Sequence, residues 1–245
     1  TGFNLLDRSI GGGFTKGDFV VIAGKTSSGK SALALQAAFN AAKAGHTAAF
    51  LAGEMTVREN ALRVLSQITK QTNLASAVHL DRTEYDLMVE WAQYIRDVPL
   101  YLDHRITDIR TLAAHARQLK RKANLRLLVV DYLQIFKPDL EQAAKRSRFE
   151  AISQVSFDLK RLAMELDITV LGVSQMNRIG GKASSPSMHD SDGSSQIEKD
   201  ASIYIMVNRE ENTPNVKIEI QKGRNTGLAA MNATFTGRCV RFEID

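Results

Sequence analysis

The chain has 245 residues, 44% hydrophobic and 24% charged, which excludes a disordered or fibrous polypeptide and fits one large globular domain. It contains no run of about 18 apolar residues and so no membrane-spanning helix. One cysteine, Cys239, excludes an internal disulfide and fits a reducing compartment, while a net charge of +5 permits a polyanionic partner without requiring one.

In chain order, Thr1-Gly-Phe-Asn-Leu-Leu-Asp7 opens without an initiator methionine or a basic-then-apolar leader and reads as the start of a domain cut from a longer protein. Asp18–Ala23 is expected as a buried strand. Gly24-Lys25-Thr26-Ser27-Ser28-Gly29-Lys30-Ser31 follows it in the pattern G-x-x-x-x-G-K-[ST], and alanine-rich Ser31–Ala44 reads as a helix. Strand, glycine-bounded loop and helix start are what a triphosphate needs. Glycines let backbone N–H groups close around phosphates, the helix N-terminus adds positive potential, Lys30 reaches the outer phosphates and Ser31 can ligate Mg²⁺. The expectation is ATP, or another nucleoside triphosphate, with Mg²⁺.

Beyond this unit, strands are expected at Thr47–Ala52, Leu100–Asp103, Arg126–Asp131, Ile168–Ser174, Ala201–Val207 and Val216–Gln221. A closing pair, Ala229–Phe235 and Arg238–Ile244, turns at Thr236-Gly237. Helices are expected at Thr56–Thr69, Thr83–Arg96, Ile106–Lys122 and Phe149–Leu166. Early strands alternate with helices and late ones follow one another directly. That order predicts an α/β domain over residues 1–245: a mostly parallel twisted sheet with helices on both faces and an antiparallel C-terminal edge. Two polar stretches, Lys137–Arg148 and Arg178–Ser195, are expected as loops leaving the carboxyl ends of strands, where parallel sheets bind ligands. Cys239, among apolar neighbours, reads as packing.

The polar residues that end these strands carry the chemistry. Leu127-Leu-Val-Val-Asp131 delivers a carboxylate to the sheet's carboxyl edge, the form of a Walker B strand, with Asp131 holding the Mg²⁺ that Ser31 also touches. Glu54, just past the second strand, can orient and deprotonate an attacking water; the alternative is that it merely caps the helix opening at Thr56. Gln175 can hydrogen-bond a γ-phosphate and report its presence to the loop that follows. Lys222 and Arg224, at i and i+2 of a strand end, share one face. They read either as a blunted sheet edge or as cations reaching a neighbouring subunit's phosphates.

The phosphate loop, Gly53-Glu54-Met55, Val130-Asp131-Tyr132-Leu133-Gln134, Ser174-Gln175-Met176-Asn177-Arg178, Ile197-Glu198-Lys199-Asp200-Ala201 and Lys222-Gly-Arg224-Asn225 occur in the order found in replicative helicases of the DnaB family. The chain resembles the C-terminal RecA-like motor domain of that family over nearly its whole length. The resemblance implies a cytoplasmic bacterial, phage or plasmid protein whose N-terminal domain and linker helix lie outside this sequence. It implies a homo-hexameric ring around single-stranded DNA, ATP hydrolysis at subunit interfaces, and a primase and a helicase loader as partners. Residue by residue, it makes Lys30 and Ser31 the phosphate and Mg²⁺ residues, Glu54 the catalytic glutamate, Asp131 the Walker B aspartate and Gln175 the γ-phosphate sensor. Lys222 and Arg224 become the cations reaching the next subunit, and Arg63 an arginine near the nucleotide.

There are two departures from the family pattern. The DNA-facing loop, usually Arg-Glu-Ser-Gly, aligns with Asp192-Gly193-Ser194-Ser195, so DNA contacts are expected from Gly193, Ser194, Ser195, Arg178, Lys182 and Lys199. The phosphate loop reads Gly24-Lys-Thr-Ser-Ser where many members have Ala-Arg-Pro-Ser-Met. A RecA-type recombinase and a non-catalytic DNA-binding or helicase-regulating module are the competing readings.

Overall fold

A computed structural model of the chain describes residues 1–70, 81–136, 148–176, 194–210, 213–223 and 227–244. Its strands are β1 (Phe19–Gly24), β2 (Ala48–Ala52), β3 (Leu100–Asp103), β4 (Leu127–Asp131), β5 (Thr169–Gln175), β6 (Ile203–Arg209), β7 (Asn215–Gly223), β8 (Ala229–Thr236) and β9 (Arg241–Ile244). They form one nine-stranded sheet ordered β3-β2-β4-β5-β1-β6-β7-β8-β9. Strands β1 to β6 pair in parallel, and β7, β8 and β9 add as antiparallel neighbours at one side.

Helices α1 (Asn4–Ser9), α2 (Lys30–Lys43), α3 (Val57–Thr69), α4 (Arg82–Arg96), α5 (Ile109–Ala123), α6 (Arg148–Leu166) and α7 (Ser194–Asp200) complete the described elements. Both faces of the parallel strands are covered. Val20, Ile22, Phe50 and Val129 pack with Leu6, Leu33, Phe39 and Val64 of α1, α2 and α3. Phe19, Val21, Leu51 and Val130 pack on the other face with Leu112, Leu119, Leu159 and Leu162 of α5 and α6. Every residue of β1, β2 and β4 is therefore buried, and their sequences are continuous apolar runs. β8 alternates buried and exposed positions because only one of its faces meets the core.

The expected elements appear with shifted ends. α5 begins at Ile109 rather than Ile106 because the Asp108 side chain accepts the Thr111 N–H at 2.8 Å and fixes the helix start there. β9 begins at Arg241 rather than Arg238, since residues 237–240 form the turn, and Cys239 is buried within it. The short helices α1 and α7 add to the expected set. Of the two expected loops, residues 137–147 and 178–193 lie outside the described residues; Arg148 begins α6, and Ser194 and Ser195 begin α7. No helix among the described residues is long and apolar enough to cross a membrane.

Candidate functional site

The phosphate loop leaves the carboxyl end of central β1 and enters α2. Ser27 at φ 64° and Gly29 at φ 93° take left-handed backbone, which curls the loop and turns successive N–H groups to its concave side. No side chain caps the first turn of α2, so those N–H groups remain available to an anion. Two glycines are required by packing. A Cβ at Gly24 would strike the Val207 carbonyl oxygen, and one at Gly29 would lie 2.6 Å from Cζ of Phe242. Lys30 donates to the Lys25 carbonyl at 2.6 Å, which folds its ammonium over the loop. The Ser28 hydroxyl is buried without a partner among the described residues, a polar atom in a cradle shaped for an oxyanion.

Neighbouring strand ends converge on this loop. Ser31 Oγ donates to Asp131 Oδ1 at 3.0 Å, joining the first turn of α2 to the end of β4. Ala52 pairs with Asp131 in the β2–β4 register, and the Gly53 N–H donates to the Asp131 carbonyl at 2.6 Å, so Glu54 leaves the sheet beside that carboxylate. Glu54 is exposed and takes no part in capping α3. That task belongs to Thr56, which accepts the Glu59 N–H at 3.2 Å, while Glu59 accepts the Thr56 N–H at 2.8 Å. Gln175 ends β5 next to Gly24 in the β1–β5 register, and its amide donates to Thr26 Oγ1 at 2.7 Å.

Burial dominates the electrostatics. It pushes the Asp131 carboxyl up to about 6, a rise that the Ser31 hydrogen bond and the Lys30 charge oppose, and Glu54 adds to it. Burial likewise lowers the Lys30 ammonium to about 8, against the pull of Asp131 and Glu54. Arg63 projects from α3 towards the same carboxylate. Burial lowers its pKa while Asp131 and Glu59 oppose the shift, and its Nε has no partner among the described residues. A carboxylate and a hydroxyl 3.0 Å apart are hard oxygen donors suited to Mg²⁺, an ion that takes its remaining ligands from phosphates and water. The residues fit an Mg²⁺–triphosphate.

A family model for the DnaB-like helicase C terminal domain matches residues 1–244. The chain belongs to that family. The replicative DNA helicase DnaB of Treponema pallidum is 30% identical over 250 residues, which cover 99% of this chain and 55% of that protein. The probable plasmid replicative DNA helicase of Chlamydia muridarum is 30% identical over 249 residues, covering 99% and 54%. This DnaB-like chain thus spans about half the length of the curated relatives it matches. Among solved structures, a DnaB-like replicative helicase, solved in a study of its interactions with primase, superposes with a TM-score of 0.89 at 27% identity, covering 98% of this chain and 60% of that one. A separately solved ATPase domain gives a TM-score of 0.89 at 28% identity, covering 98% and 89%. The RecA-like fold of the family is the fold found here.

The remaining residues of this DnaB-like domain divide between places. Lys222 pairs with Tyr204, and Tyr204 with Val21, so Lys222 stands level with the early part of β1 while the phosphate loop leaves after Gly24. At roughly 3.3 Å per residue this is about 10 Å back along the strand direction and two strands across. Its ammonium donates to the carbonyls of Glu198 and Lys199, in the last turn of α7. Lys199 is exposed on that helix. Arg224, Arg178, Lys182 and Gly193 lie outside the described residues. The sequence reading missed Arg209 and gave Gln134 no role. Arg209, ending β6, donates to the Ser27 carbonyl at 3.4 Å, and its guanidinium lies 4.8 Å over the Phe235 ring. Gln134 binds the end of β5 through both ends of its amide. Arg209 was legible as a polar residue ending an apolar strand at the same edge as Asp131; Gln134 stood in the family motif after Asp131, but nothing local marked its partner on β5.

Proposed function

We propose that this domain hydrolyses ATP and couples turnover to movement along single-stranded DNA, as the motor of a replicative helicase. The observation that carries the reading is the Ser31–Asp131 pair beneath the phosphate loop, with Glu54 and Gln175 at adjoining strand ends, in a chain of the DnaB-like family. Loop N–H groups and Lys30 bind the phosphates. Ser31 and Asp131 would hold Mg²⁺, which supplies charge neutralisation between the outer phosphates. Glu54 takes the proton from an attacking water, Gln175 hydrogen-bonds the γ-phosphate, and Arg63 adds positive charge beside Asp131. Arg209 and Phe235 offer a flat guanidinium–aromatic surface at the loop's flank for the base.

Lys222 stands away from its own phosphate loop, which supports a role for Lys222 and Arg224 at a neighbour's site and hence a hexameric ring in the full-length protein. Ser194, Ser195 and Lys199 on α7, with Gly193, Arg178 and Lys182 near it in sequence, form the DNA-facing segment. A primase and a helicase loader are its partners, and the cytoplasm is where it works. The test is ATPase activity with and without single-stranded DNA. Stimulation by single strands is expected. ATP binding without turnover would return the chain to the binding-module reading, and strand exchange without translocation would make it a recombinase.

A further inference from the structure

Gln175, read above as the γ-phosphate sensor, is gripped at two levels. The first grip is on its backbone. The Gln134 side chain, three residues beyond Asp131, donates to Ser174 Oγ at 3.0 Å and to the Gln175 carbonyl at 3.0 Å, and accepts the Gln175 N–H at 3.3 Å. Held on both sides of its α-carbon, Gln175 can respond to a ligand only by turning its side chain. The second grip is on that side chain: its amide donates to Thr26 Oγ1 at 2.7 Å, within the phosphate loop itself.

A reporter of γ-phosphate needs two arrangements of similar free energy, one with the phosphate and one without it. Were Gln175 to point at the phosphate in both, it would report nothing. Thr26 supplies the second partner. We propose that Thr26 is a specificity-determining residue of this site. Its hydroxyl competes with the terminal phosphate for the Gln175 amide and so lowers the preference for triphosphate over diphosphate. The proposal rests on the sensor role of Gln175.

A nucleoside diphosphate leaves the Gln175–Thr26 bond intact. A triphosphate draws the amide away, because a charged phosphate oxygen is a stronger acceptor than a hydroxyl, but its gain is reduced by the bond it breaks. One neutral hydrogen bond sets that reduction at roughly 3- to 10-fold in relative affinity. The effect belongs to this loop sequence: a loop reading Ala-Arg-Pro-Ser-Met has no hydroxyl at the position of Thr26.

The test is equilibrium binding of ADP and of a β,γ-imido triphosphate analogue, with Mg²⁺, to the whole chain. Thr26→Val keeps the shape and removes the hydroxyl. It should raise the ratio of diphosphate Kd to triphosphate Kd by roughly 3- to 10-fold, chiefly by tightening the triphosphate, and Thr26→Ser should return the ratio to that of the wild type. In a Gln175→Ala background, Thr26→Val should leave the ratio unchanged. Should Thr26→Val fail to fold, Thr26→Ala makes the same comparison, removing the hydroxyl and keeping the loop N–H. An unchanged or lowered ratio in the hydroxyl-free variant, with Gln175→Ala still losing triphosphate preference, overturns the role of Thr26 and leaves the sensor standing. If Gln175→Ala itself leaves the ratio unchanged, the sensor reading falls and the proposal with it.

Discussion

The two kinds of strand in this sheet do different work at opposite edges. Parallel strands β1, β2, β4 and β5 are buried on both faces, and each ends by delivering a polar or charged group to one place: the phosphate loop, Glu54, Asp131 and Gln175. Antiparallel β7 runs the other way and brings Lys222 out at the far edge, against the last turn of α7. Strand direction alone thus separates the groups proposed to act on a nucleotide in the same chain from a cation proposed to act at a neighbour's site.

Arg224, two residues beyond Lys222 in the sequence, gives the most direct way to break this comparison. Arg224→Ala should lower the ATPase rate of the assembled protein by roughly 10³–10⁵ while leaving the melting temperature nearly unchanged. Mixing it with Glu54→Gln subunits should restore part of the rate, since some interfaces then pair an intact Glu54 with an intact Arg224. A structure with Arg224 against its own chain's Ser31 would end the trans reading.

At the near edge, Glu54→Gln should cost roughly 10²–10⁴ in turnover with ATP affinity retained, measured by single-turnover hydrolysis beside equilibrium binding. Lys30→Ala, by contrast, should weaken binding as well. Near-normal turnover in Glu54→Gln would remove Glu54 from the chemistry.

The near edge also carries a cost in stability that titration exposes. Burial holds the Asp131 carboxyl at about 6, above its ordinary 3.8, so the folded chain binds that proton more tightly than the unfolded chain does. The stabilising proton is fully present below about pH 4 and is lost as the pH rises through about 6. Asp131→Asn escapes the loss, and its stability relative to wild type should improve by about 2–3 kcal/mol across that window. Denaturant melts at the two pH extremes measure this, and a pH-independent difference would contradict the buried-carboxylate account.

The smallest expected effect separates Glu54 from the helix start beside it. Thr56→Ala removes the acceptor for the Glu59 N–H and should cost about 1 kcal/mol, with ATPase activity intact. A matching loss of turnover would tie the α3 cap to the chemistry after all.

The near edge was the more legible of the two. Apolar runs ending in Gly24, Asp131 and Gln175 reveal both strand and site, because burial on both faces demands continuous hydrophobicity and a strand must stop where its polar group begins. Glu54 was ambiguous, since helix caps and catalytic bases use the same residue types; the Thr56–Glu59 pair takes the cap and leaves Glu54 out of it. What stayed hidden depends on contacts between distant segments. Gln134 and Gln175 are 41 residues apart, and Arg209 reaches Ser27 across 182. Helix α7 was hidden because Ser194 and Ser195, which open it, have the composition of a loop.

The Gly29–Phe242 contact has a consequence for how the molecule is made. Phe242 of β9 lies directly beneath the loop, and its backbone exchanges hydrogen bonds with the Gln36 side chain of α2 at 3.0 and 2.8 Å, across 206 residues. The ribosome therefore releases the phosphate-gripping segment long before the strand that serves as its floor. A polypeptide interrupted anywhere short of β9 carries the whole signature motif on an unsupported turn. The loop's packing is thus complete only when synthesis has run through to Phe242.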